Sequence, residues 1–147
     1  MRDSSPRALA RTIAVLFLVV LVLGVVAQAV ITNRLILFRD AARTASNILA
    51  NEPLYRTGFT LFMLEMAAQI AQTVLMFHLL KPVNRRVATV ALAFGLVGCT
   101  IKTFARVLYL APLFILKQKA FGAFAADQLP ALSLMLLSIM DRGAGVA

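Results

Sequence analysis

Two cations four residues apart, Lys102 and Arg106, stand in the stretch GCTIKTFARVLYL (98–110), whose other residues have the composition of a membrane helix. One acid, Glu65, interrupts a second apolar stretch and is followed by Gln69 and Gln72 at i+4 and i+7. That spacing puts the acid and both amides on one helix face, with Gly58 on the same stripe. On the other helix Ala91, Gly95, Gly98, Lys102 and Arg106 share a stripe, and small residues let two helix backbones approach closely in lipid. An uncompensated charge at mid-bilayer costs about 2.5–3.5 kcal/mol on insertion scales. Glu65 and Lys102 are therefore expected to pair.

Two kinds of chemistry follow from such a pair. In one, the ion pair and its glutamines hold helices together. In the other, Glu65 titrates or binds a cation, with Gln69, Gln72 and Lys102 lining the pathway, since intramembrane carboxylates mark proton and ion routes. A lysine partner favours the first, because it neutralises the carboxylate that a carrier would need free. Arg106 lies nearer the interface, where snorkelling to headgroups is its simplest role.

Other chemistries lack their residues. His78 is the single histidine, which leaves neither bis-histidine haem ligation nor a multi-histidine metal site within one chain. Cys99 is the single cysteine, so no intrachain disulfide can form and a buried thiol is expected. No HExxH, GxSxG or GxxxxGK[ST] occurs. No catalytic residue, metal or cofactor is expected, and the chain does not read as an enzyme.

The elements that must carry these residues are membrane helices. The chain has 147 residues, 61% of them hydrophobic, well above the roughly 45–50% of a soluble domain. Its mean hydropathy is +0.89. The sequence predicts an all-α, polytopic bundle in a single membrane domain. Its spans are expected at about 8–31, 56–80 and 84–110, with a short extramembrane helix at 41–49 and a further apolar helix at 122–140. Asp127 and Pro130 weaken that last segment as a span. The formal charge of +9 would suggest nucleic acid binding in a soluble protein, but here the cations mostly flank apolar spans and no run of several consecutive Lys or Arg occurs, so no nucleic acid partner is expected.

MRDSSPRALART followed by IAVLFLVVLVLGVV and Ala27-Gln28-Ala29 imitates a secretory signal. The apolar run continues through Val30 and Ile31, long enough to span, so a retained first helix is expected, starting near Pro6. Asp40 is placed to cap the short helix and Asn51 the second span, with Glu52 and Pro53 in its first turn. Lys81-Pro82 must end that span, making KPVNRR a tight cationic turn, and Pro112 is placed to kink or end the third. Arg2, Arg7, Arg11, Lys81, Arg85 and Arg86 lie on one side and Arg34, Arg39, Arg43, Arg56, Lys117 and Lys119 on the other, so the positive-inside rule ties. A long structured loop facing outward favours a cytoplasmic N-terminus.

From the helix rise, Glu65 and Lys102 lie about 12 Å and 8 Å below the long-loop surface, and Gln28, one turn after Gly24, lies at similar depth. The buried polar cluster is thus expected to comprise Gln28, Glu65, Gln69, Gln72, Lys102 and Arg106, with Gly24, Ala91, Gly95 and Gly98 as packing positions.

Three segments, FRDAARTASNILANEPLYRTGF (38–59), HLLKPVNRRVATVALAFGLVGCTI (78–101) and FGAFAADQLPALSLMLLS (121–138), resemble bacterial multi-span membrane proteins of domain-of-unknown-function family 4386. The resemblance implies a multi-pass protein of the bacterial inner membrane and no activity. Members of that family have about six spans and continue beyond the equivalent of residues 129–140, which implies a natural short version here, a truncated reading frame, or a half completed by a partner. The expected partners are the lipid bilayer and other membrane helices, in a homo-oligomer or a larger membrane complex. The expected role is a non-catalytic bundle or accessory subunit.

Overall fold

The computed structural model describes residues 5–117 and 128–146, and every regular element in it is helical. Helix α1 (Pro6–Val25) starts where Ser5 caps it, the Ser5 hydroxyl accepting from the Ala8 amide at 3.3 Å. Pro6 sits in the first turn, where a missing N–H costs nothing. The helix then widens into a π-helical stretch, Val26–Thr32, and closes with a short α turn, α2 (Asn33–Leu35). The Thr32 hydroxyl donates to the Ala27 carbonyl five residues back at 2.9 Å. The wider turn buries Ala27, Ile31 and Thr32 together.

In the connection that follows, the Thr44 hydroxyl accepts from the Leu37 amide at 2.9 Å and donates to the Leu37 carbonyl at 3.0 Å, folding the loop onto α3 (Ala41–Ala50). Asp40 caps that helix as expected, accepting from the Arg43 amide at 2.9 Å. Asn51 precedes α4 (Glu52–Leu80), but its side chain does not cap that helix. Its amide instead donates backward to the Asn47 carbonyl at 3.1 Å and closes the end of α3. With Glu52 and Pro53 in its first turn, α4 starts without that side-chain acceptor.

Lys81–Val83 form the turn, and Asn84 caps α5 (Arg85–Val107) by accepting from the Arg86 and Val87 amides, both at 3.1 Å. The third span ends its regular part at Val107, short of the expected residue 110. Pro112 supplies no N–H to the turn before it, so Leu108–Leu110 tighten into a 3₁₀ turn and the chain resumes as α6 (Ala111–Lys117). The last helix, α7 (Leu129–Val146), carries Pro130 in its first turn and runs beyond residue 140. Residues 122–127 of the expected helix lie outside the described residues.

Three continuous helical segments, Pro6–Leu35, Glu52–Leu80 and Arg85–Lys117, are long and apolar enough to cross a membrane. Central to them is α4, packed between α1 and α5. The closely packed core lies at the long-loop end, where α3, α6 and α7 cover it. Leu35 and Ile36, Ile48, Tyr55, Leu113, Leu137 and Met140 are all buried there. Tyr55 and Tyr109 stack with ring centroids 4.2 Å apart, Phe62 meets Tyr109 edge to face at 5.5 Å, and the Tyr55 hydroxyl donates to the Tyr109 carbonyl. Such aromatic pairs add about 0.5–1.5 kcal/mol beyond burial. Toward the Lys81–Val83 turn the outer faces of α1 and α5 are apolar and exposed, Val15, Leu18, Val90 and Phe94 among them.

Candidate functional site

Glu65 is 3% exposed and lies on α4 just under one turn beyond Phe62, which packs against Tyr109. The Lys102 ammonium donates to its Oε1 at 3.0 Å and to Gln69 Oε1 at 3.3 Å. One turn further along α5, Arg106 donates from a terminal guanidinium nitrogen to Gln28 Oε1 at 3.5 Å and lies 3.8 Å above the ring of Phe62. The polar groups thus bridge α5 to α4 and α5 to the π-helical stretch that follows α1. In this low-dielectric setting a paired carboxylate and ammonium hold their helices together, whereas either alone is costly.

Arg106 is only 7% exposed, so it does not reach for headgroups. Phe62 offers its π face to the guanidinium, which supplies part of what water would. Two atoms of the cluster, Glu65 Oε2 and Arg106 Nε, have no hydrogen-bond partner among the described residues. The cluster carries one acid and two cations, and Glu65 and Asp141 are the acids close enough to act electrostatically on Arg106.

Gly24 meets the carboxylate directly: a Cβ there would stand 3.3 Å from Glu65 Oε1. Gly95 meets α4 even more closely, since a Cβ there would stand 2.6 Å from Thr73 Cγ2. Gly98 does not pack as expected, for nothing lies within 4 Å of the Cβ position. Three residues turn a helix by about 300°, which leaves Gly98 some 60° off the line through Gly95. Ala91 is exposed and borders a cleft instead of touching a neighbouring backbone.

Gln72 also departs from the expected cluster. It shares Glu65's face but lies about 10 Å further along the axis, and it takes no part in the hydrogen bonds that join Glu65, Gln69, Gln28, Lys102 and Arg106. It lines a cleft of about 310 Å³ between α1, α4 and α5. Sequence reasoning placed Arg106 in the buried cluster but missed the π-helical stretch that positions Gln28 and the long-loop core that keeps Arg106 from the interface. A polar pair, Gln28 and Thr32, inside an apolar span was the signal for the first; the second depends on packing by α7, which helical periodicity does not report.

No curated protein and no solved structure matches the chain. Over residues 12–147 it matches the family described as Domain of unknown function (DUF4386), and it belongs to that family.

Proposed function

We propose that the chain is a non-catalytic membrane helical-bundle or accessory subunit whose buried ion pair clamps its spans and whose outer faces receive other membrane helices. The observation that carries this reading is the Lys102 ammonium 3.0 Å from Glu65 Oε1 in a site where the two side chains are 21% and 4% exposed. A carboxylate so placed is spent on packing. The open surface at Gly98 supports association, since a second helix can approach there without displacing a side chain of this chain. Gly98→Leu tests it: the variant should lose oligomer or complex in mild detergent while its helix content stays unchanged. Wild-type migration would count against the reading.

A second reading, a small transporter or ion pathway through Glu65, is favoured by one observation. Glu65 Oε2 is left without a partner, and a cleft reaches Gln69, which Lys102 already touches. Equal retention of candidate substrates, alkali cations first, by vesicles carrying wild type or Glu65→Gln would sink it.

A further inference from the structure

The cleft has a mouth, walls and a floor of different chemistry. Its walls are apolar, formed by Phe17 and Val20 of α1, Met76, Phe77 and Leu80 of α4, and Leu92 of α5. A volume of about 310 Å³ is at the small end of the range that small-molecule sites occupy. At its inner end stand Gln69, Gln72 and Thr73. The Gln69 side-chain oxygen accepts from Lys102, and the Thr73 hydroxyl donates to the Gln69 main-chain carbonyl at 2.8 Å. The Gln69 amide keeps both N–H donors and one oxygen lone pair, and Gln72 adds an amide that the ion-pair network does not use. The floor thus carries amide N–H donors, with the Lys102 ammonium behind Gln69.

Two cations, neither of them in its lining, stand near the Leu80 end of the cleft. The Lys81 ammonium lies 5.8 Å from the centroid of the wall residue Phe77. Arg85 precedes Ala88 and Leu92, both of which line the cleft, by three and seven residues, and so shares their helix face. Neither cation pairs with a carboxylate among the described residues.

We infer that this cleft binds a small amphipathic organic anion, a carboxylate carrying an apolar body, with its carboxylate at the Gln69 and Gln72 amides and its body against Phe17, Met76 and Phe77. Cations at a cleft mouth concentrate anions there. The floor donors compensate the carboxylate for the water it leaves, whereas a purely apolar guest would strand them. A cationic guest would be repelled by Lys81 near one end and by Lys102 behind Gln69 at the other. The inference does not depend on assembly with other helices, because every group in it belongs to this one chain.

The test is titration calorimetry of the full chain in nonionic detergent with octanoate, using octanol as the uncharged control. Saturable octanoate binding is expected, with octanol weaker by about 10-fold or more. Gln72→Leu keeps the size of the side chain but removes its donors, and should weaken octanoate about 10-fold, the factor for losing a hydrogen bond to a charged acceptor. Ala91→Phe fills the cleft from α5 and should abolish binding; circular dichroism and elution volume confirm that each variant is folded. The inference is overturned by absent saturation with octanoate, by equal affinity for octanol, or by undiminished binding in Ala91→Phe. A phospholipid that copurifies and resists displacement by octanoate would overturn it too, identifying the cleft as a bilayer-lipid site.

Discussion

Removing Glu65 should harm the protein far more than removing Lys102. Glu65, Lys102 and Arg106 together carry a formal charge of +1, because one carboxylate faces an ammonium at 3.0 Å and acts electrostatically on a guanidinium that is itself 7% exposed. Glu65→Leu leaves a buried guanidinium and a half-buried ammonium and raises the cluster to +2. Lys102→Met leaves one carboxylate and one guanidinium, and the cluster becomes neutral. Breaking a buried pair by deleting one partner costs about 3–5 kcal/mol when the remaining charge has no other compensation. Glu65→Leu should reach that range and Lys102→Met about half of it or less, because Arg106 stands ready to serve the orphaned carboxylate. The assay is reversible unfolding in detergent for both single variants and the double variant. The coupling energy then follows from the cycle. Equal costs, or a larger cost for Lys102→Met, would refute the account in which Glu65 is the shared anion of two cations. A second cycle with Glu65→Lys, Lys102→Glu and the exchange tests the pair itself: each reversal should destabilise, and the exchange should recover stability.

Other expectations follow from close contacts. Gly95→Ala brings a Cβ to 2.6 Å from Thr73 Cγ2 and should cost about 1–3 kcal/mol as overpacking; Thr73→Ser removes that methyl, so the double variant should recover most of the loss in a thermal-stability measurement. Tyr55→Phe leaves the buried Tyr109 carbonyl without the hydroxyl that donates to it and should destabilise by about 1–3 kcal/mol, read from the unfolding midpoint. Asp40→Ala removes the cap that accepts from the Arg43 amide and should cost about 1 kcal/mol, read most directly as faster amide exchange in the first turn of α3.

Much of the arrangement was legible because membrane helices impose few variables. Apolar length set the spans, Asp40 and Asn84 marked helix starts, and the 3.6-residue period aligned Glu65 with Gln69 and placed Lys102 to face them. Periodicity resolves angle about an axis only coarsely, however, and says nothing of a side chain's reach. It grouped Gln72 with Glu65 although two helical turns separate them, and Gly98 with Gly95 although only Gly95 touches α4. Asn51 failed for a different reason. Its side chain could serve either the helix ending before it or the one beginning after it, and the choice fell to the Asn47 carbonyl. The π-helical stretch rests on one hydroxyl, Thr32, bonding five residues back, a competition between two nearly equal backbone patterns that composition does not decide.

The two glycines explain why one end of the bundle is tight and the other parted. In lipid, helices gain nothing from apolar burial alone, so the close approaches are set by packing shape and by polar bonds. Gly24 leaves room for the Glu65 carboxylate between α1 and α4, and Gly95 leaves room for the Thr73 methyl between α4 and α5. Both glycines therefore yield space to side chains of α4, the helix that carries the acid and the amides. On the long-loop side of this level, the Lys102 and Arg106 bonds and the Tyr55, Phe62 and Tyr109 rings draw the spans together. On the other side, Phe17, Met76 and Phe77 border the cleft instead of filling it. The ion pair thus sits at the junction of a sealed half and an open half, and loosening it should widen the cleft as well as weaken the bundle. That links the two cycles above to the octanoate titration: Lys102→Met, which frees Gln69 Oε1 from its donor, should change octanoate affinity even though Lys102 lies behind the cleft floor. If affinity stays at the wild-type value while stability falls, clamp and cleft are independent features of the same three helices.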